Sequence, residues 1–204
     1  ESFLEDEATM AKINALMEVD ENETDITKIL TSLALFSALA EGTQLFSSFA
    51  VLLSFRKSNR LKGVGQQMIF SVKDESLHSE AGCKLFREVI AEQPELFTNE
   101  LKNTIVDCMR HGLINEFVYI SKVFEAGEID SISKKELENF MCDRANRKLG
   151  ELNINPVFEV DKKLLEKMQW FYALVSGEQQ TDFFAGRETG YAKPNQDWNT
   201  EDLF

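Results

Sequence analysis

Residues 29–55 read ILTSLALFSALAEGTQLFSSFAVLLSF, twenty-seven residues between Lys28 and Arg56 with a single charge among them, Glu41. An ionised carboxylate inside an apolar helix costs on the order of several kcal/mol unless something cationic meets it. Glu41 is therefore protonated, paired with a partner charge, or bound to a metal. Thirty-four residues further on, the next long helical stretch carries Asp74-Glu75-Ser76-Leu77-His78. Its Glu75 and His78 stand three apart and share one helix face.

By length alone residues 29–55 could span a bilayer. They also hold Thr31, Thr43, Gln44, several serines and Glu41, and no second segment resembles them. A helix buried in a bundle accounts for this better, and no membrane partner is expected. The remaining composition agrees. Three prolines and ten glycines in 204 residues favour long helices over strands and turns. Sixteen phenylalanines against three tyrosines predict a core filled with large aromatic rings. A net charge of −13 argues against nucleic acid or an anionic membrane surface as partner. Cys83, Cys108 and Cys142 are odd in number and never in a C-x-x-C pair, so disulfides and structural zinc are not expected. A reducing, cytoplasmic location fits them, and the acidic residues ESFLEDEATM do not read as a signal peptide.

The chain reads as all-α. Residues 2–18 have helical spacing, and EVDENETD follows as a loop. Asp25 or Thr24 caps a helix over roughly 26–55. A second long helix covers roughly 64–92, with Met68, Val72, Glu75, His78/Ser79 and Ala81 on its inner stripe. Further helices are expected over roughly 98–125 and 133–149, with Gly127 and Gly150 as stops. Residues 151–176 mix short helices and irregular structure. Residues 1–176 thus form one helical domain. From Gly177 to Phe204 the composition shifts to Gly, Glu, Gln, Asp and Asn, which predicts a tail with little core of its own.

A Glu-x-x-His pair aims a carboxylate and an imidazole the same way from adjacent turns. Ferritin-like di-metal carboxylate proteins place one carboxylate on each of two helices and one Glu-x-x-His on each of two others. Oxygen and nitrogen donors of this kind suit iron and manganese. Glu41 with Glu75 and His78 makes half of such a set. Alone the motif is weak evidence, because a solvated helix face carries the same spacing by chance. Asp74 beside it is a candidate acceptor for a ligand's N–H. His111, with Cys108 three residues before it, reads as a structural histidine. Glu116 and Tyr119 read as structural and core residues of the same helix.

The segments ALAEGTQLFSSFA and SVKDESLHSEAGCKLF resemble the two metal-ligand helices in the second half of class I ribonucleotide reductase small subunits. The spacing from Glu41 to Glu75 is similar, and so is DFFAGRETGYAK followed by an acidic terminus ending EDLF. The resemblance implies a ferritin-like bundle holding a di-iron, iron/manganese or di-manganese centre. Glu41, Glu75 and His78 would be metal ligands, Asp74 would lie on the radical-transfer route, and Phe49 would wall off the oxidant. Tyr191 would relay the radical between subunits. Asp202, Leu203 and Phe204 would dock into the large (alpha) subunit, and a second small-subunit chain would complete a homodimer.

The family's first half should supply another carboxylate helix, another Glu-x-x-His and a radical tyrosine, yet Glu75 to His78 is the chain's one E-x-x-H. Together with the start on Glu1, this gives the expectation of a C-terminal portion that needs an N-terminal half to complete the site. Two other readings compete: a ferritin-like metal-storage or oxidase protein, and a non-catalytic helical interaction protein.

Overall fold

A computed structural model describes residues 23–177. The expected helix over 2–18, Tyr191 and the docking residues Asp202, Leu203 and Phe204 lie outside the described residues. Within them the regular structure is helical, with a single 3-10 turn at Pro94–Leu96 and one bridge joining Ile129 to Ile132 in a turn. The helices are α1 (Ile26–Ala34), a π-helical segment (Leu35–Gln44), α2 (Leu45–Lys57), α3 (Lys62–Glu92), α4 (Asn99–Glu125), α5 (Lys134–Glu151), α6 (Lys162–Lys167) and α7 (Gln169–Gly177).

The helix starts follow capping chemistry. The Asp25 side chain accepts from the Thr27 N–H, Thr98 from Leu101, and Asp161 from Lys163 and Leu164. Ser133 and Glu136 form a reciprocal capping box at the start of α5. Ser133→Ala is expected to lower stability by about 1 kcal/mol in urea titrations, with an unchanged m-value.

α1, the π segment and α2 run without a break and form the central helix of the bundle, with α3, α4 and α5 packed around it. The span Ile26–Lys57 is long and apolar enough to cross a membrane, but 56% of its most apolar window is buried inside the bundle. Core packing therefore accounts for its hydropathy. Phe46, Phe86, Phe140 and Phe171 are fully buried, and the Phe140 and Phe171 rings lie 5.1 Å apart. The phenylalanine-rich core expected from composition is present.

α3 differs from its expected pattern. Its core stripe is Gly65, Ile69, Val72, Ser79, Cys83 and Phe86, whereas Ala81 is exposed. The alternating steps of four and three keep that stripe on one side, so Glu75 and His78 fall on its flank. Their side chains are 27% and 58% exposed, on the rim rather than in the core. Burial raises the Cys83 thiol to about 11, making it an inert core group.

The sequence shows no sign of the π segment. In place of a uniform α-helix, the N–H of Leu45 reaches back five residues to the Ala40 carbonyl. The Thr43 hydroxyl likewise donates to the Ala38 carbonyl at 2.7 Å. Residues five apart then share a face. Ser37 and Gly42 both meet α3: a Cβ on Gly82 would come within 2.6 Å of the Ser37 Cβ, and one on Gly42 within 2.5 Å of the Ser79 Oγ. Leu39 and Gln44 both meet α4 at Gly112, where Leu39 fills the space of a Cβ and Gln44 donates to the carbonyl at 3.5 Å. The glycines permit the approach, and the wide turn sets which residues make it.

Candidate metal centre

The same five-residue step puts Phe36 and Glu41 on the remaining, outward face, which continues through Leu45 and Ser48. Phe36 is 48% exposed and Leu45 is 40% exposed, whereas the residues between them are buried apart from Glu41, which is half-buried. Glu41 is carried towards the flank of α3. There one ligand atom each from Glu41, Glu75 and His78 lies within 4.8 Å of the others. Glu75 Oε2 stands 3.4 Å from His78 Nδ1.

The electrostatics suit a cation. Burial pushes the Glu41 carboxyl above its usual range, the neighbouring Glu75 pushes it further, and His78 works against both. The two carboxylates, converging from two helices, repel each other without an ion, and with the imidazole beside them they would bind one favourably. The donor set, two oxygen ligands and one nitrogen, fits iron or manganese.

The buried side of α2 is aromatic. Phe49 is buried and packs edge-on against Phe46, their centroids 5.7 Å apart. The Ser48 hydroxyl donates to the Tyr119 hydroxyl at 3.2 Å, which ties α2 to α4 beside the ligand face. Ser47 donates to the fully buried carboxylate of Glu116, so that acid binds the helix next to the cluster instead of joining it.

Asp74 is exposed and makes no hydrogen bond to His78 among the described residues; Glu75 is the carboxylate that meets the imidazole. His111 is exposed on α4, so the expected structural histidine is a surface group, apart from the ligand cluster.

Two residues that look like surface charges in the sequence bear on this site. Arg144 on α5 is 8% exposed, and both its Nε (3.2 Å) and Nη2 (2.6 Å) donate to the Gly42 carbonyl. Its guanidinium lies over Phe46, 3.5 Å from the ring centroid. Burial lowers its pKa, while Tyr172 and Glu151 favour the charged form. Lys148, one turn on, is 4% exposed, lays its stem against Gly42 and pairs with Glu151 at 2.8 Å. The helical period gives no hint of their burial, because α5 carries Arg147 and other charges around them.

A helical bundle with carboxylate and Glu-x-x-His ligands on facing helices defines the ferritin-like class of di-metal carboxylate fold. A family profile, ribonucleotide reductase small chain, matches residues 1–165. A probable ribonucleoside-diphosphate reductase small subunit of Invertebrate iridescent virus 3 is 30% identical over 179 residues, covering 86% of this chain and 47% of that protein. The ribonucleoside-diphosphate reductase subunit beta of Chlamydia pneumoniae is 24% identical, over 80% of this chain and 46% of its own length. The ribonucleotide reductase R2 subunit from Clostridium botulinum shares the fold with a TM-score of 0.75 and 20% identity, over 84% of this chain and 54% of its own. The chain belongs to the ribonucleotide reductase small-chain family, and spans about half the length of the curated relatives it matches. Membership implies a di-metal centre and disfavours the storage and interaction-protein readings.

Proposed function

We propose that this chain supplies the Glu41, Glu75 and His78 arm of the di-metal centre in a radical-generating small subunit of ribonucleoside-diphosphate reductase, the enzyme that reduces ribonucleotides to deoxyribonucleotides. The observation that carries the reading is the convergence of those three ligand atoms within 4.8 Å. When bound, an iron or manganese pair would supply a one-electron oxidant from oxygen or a reduced form of it. Glu41 and Glu75 offset the cations' charge, His78 offers a nitrogen ligand, and Phe46 and Phe49 keep water from the inner side.

Three ligands are half of what a site of this class uses. The others would come from polypeptide other than the described residues. Exposed Phe36 and Leu45 share the outward face of Glu41, and helices bringing those ligands would cover them. In this reading Asp74 and Tyr191 lie on the route of the radical. The terminus through Asp202, Leu203 and Phe204 docks on the large subunit, and a second small-subunit chain pairs with this one in the cytoplasm.

The test is metal stoichiometry. The full chain would be produced alone and together with the part of the Invertebrate iridescent virus 3 relative that it does not cover. Iron and manganese would then be counted by mass spectrometry. The expected result is two metal ions per complex and far fewer on the chain alone. Metal content in the complex that is indifferent to Glu41→Ala would sink the proposal.

A further inference from the structure

The Gly42 carbonyl belongs to the residue directly after Glu41, inside the wide turn that brings Glu41 to its face. It receives both hydrogen bonds of the Arg144 fork. An α-helix gains nothing by widening one turn, so a π segment persists only where tertiary contacts hold it. Three kinds of contact do so here. Ser37 and Gly42 seat against α3, Leu39 and Gln44 seat against Gly112, and α5 grips Gly42 with Arg144 and the Lys148 stem. The first is close packing of small residues, and the second joins packing by Leu39 to one long hydrogen bond from Gln44. The grip of Arg144 is directional: a buried, planar cation fixes one carbonyl in one orientation.

We infer that Arg144 is a positioning residue for Glu41, its two hydrogen bonds to the Gly42 carbonyl holding the wide turn in register and the carboxylate towards Glu75 and His78. Loss of the inserted residue from the turn would rotate Glu41 by about one residue step, roughly 100° around the helix. That rotation would carry the carboxylate off the ligand face. Phe46 supports the arrangement from behind, since its ring supports the flat face of the guanidinium. The inference rests on the metal reading for its chemical meaning, but the register it describes stands independently of any ion.

The test compares Arg144→Met, Arg144→Lys and, as a control, Leu149→Ala. Leu149 is fully buried on the same helix and its aliphatic side chain donates no hydrogen bond, so Leu149→Ala removes packing alone. Hydrogen–deuterium exchange across residues 38–47 of the full chain reads the register, and Mn(II) titration of the complex with the complementary polypeptide, followed by electron paramagnetic resonance, reads the ligand. Arg144→Met is expected to speed exchange in 38–47 about tenfold beyond Leu149→Ala and to weaken Mn(II) by about 10- to 100-fold, with Arg144→Lys in between. Equal acceleration in Arg144→Met and Leu149→Ala would reduce Arg144 to a stability residue and overturn the inference. Faster exchange with unchanged Mn(II) affinity would also overturn it, because the turn would then not position the ligand. Should the unaltered complex bind no Mn(II), the metal reading falls, while the exchange comparison still decides whether Arg144 holds the turn.

Discussion

His78→Ala is expected to weaken Mn(II) or Fe(II) binding in the completed complex by at least about 100-fold, more than an outer residue costs. The imidazole is the one nitrogen donor in the cluster and is half exposed, so its removal should leave the fold nearly as stable. A titration followed by isothermal calorimetry, with thermal unfolding of the same sample, separates the two effects. Asp74→Asn is the matched comparison: Asp74 is exposed and outside the ligand cluster, and its change should shift affinity by no more than about threefold. Equal losses from both variants would remove the ligand assignment of His78.

The pH dependence has a definite sign. Burial and the Glu75 charge raise the Glu41 carboxyl, so the folded chain holds that proton more tightly than the unfolded chain does. Without metal, this group's contribution to stability is fully present below the ordinary carboxyl range and is lost as pH rises through its elevated value. With metal the preference reverses, because the ion needs the ionised carboxylate. Affinity should therefore weaken, as pH falls, sooner than it would for an ordinary glutamate.

Gly82→Ala is expected to destabilise the bundle by about 2–3 kcal/mol, a large penalty for one methyl group. The new Cβ would lie 2.6 Å from the Ser37 Cβ, and rotating the serine hydroxyl aside cannot relieve that contact. α3 would have to move away from the π segment, and Glu75 and His78 would move with it. Ser37→Gly should restore much of the loss in a double-mutant cycle, giving a coupling energy above about 1 kcal/mol. Chemical denaturation of the four proteins measures it. Additive losses would mean that the approach of α3 to the central helix is not what Gly82 permits.

The cluster of candidate ligands was legible because charge is costly in an apolar run: one carboxylate in 27 residues demands a partner, and Glu75 with His78 offers one at helical spacing. The helices were legible for a related reason. Asp25, Thr98 and Ser133 are oxygen-bearing caps standing before periodic stretches, and capping is a local interaction. Ala81 was misplaced because an inner stripe drawn through Glu75 and His78 assumed that ligands and core share one face. In the structure the candidate ligands flank the core stripe, with Glu75 half-buried and His78 exposed.

By itself, then, the sequence determined an all-α fold, a phenylalanine core, the family resemblance and the identity of three metal-ligand candidates. All of these follow from local period, composition and the cost of isolated charge. Only the tertiary structure decided that Glu41 stands on a π turn, that Gly82, Gly112 and Gly42 are points of helix contact, and that Arg144 and Lys148 are buried against the Gly42 backbone. A π turn differs from an α turn by one residue in its hydrogen-bond ladder, and no residue type encodes that difference locally. It is selected by what packs around it, including Arg144, which lies 102 residues away along the chain.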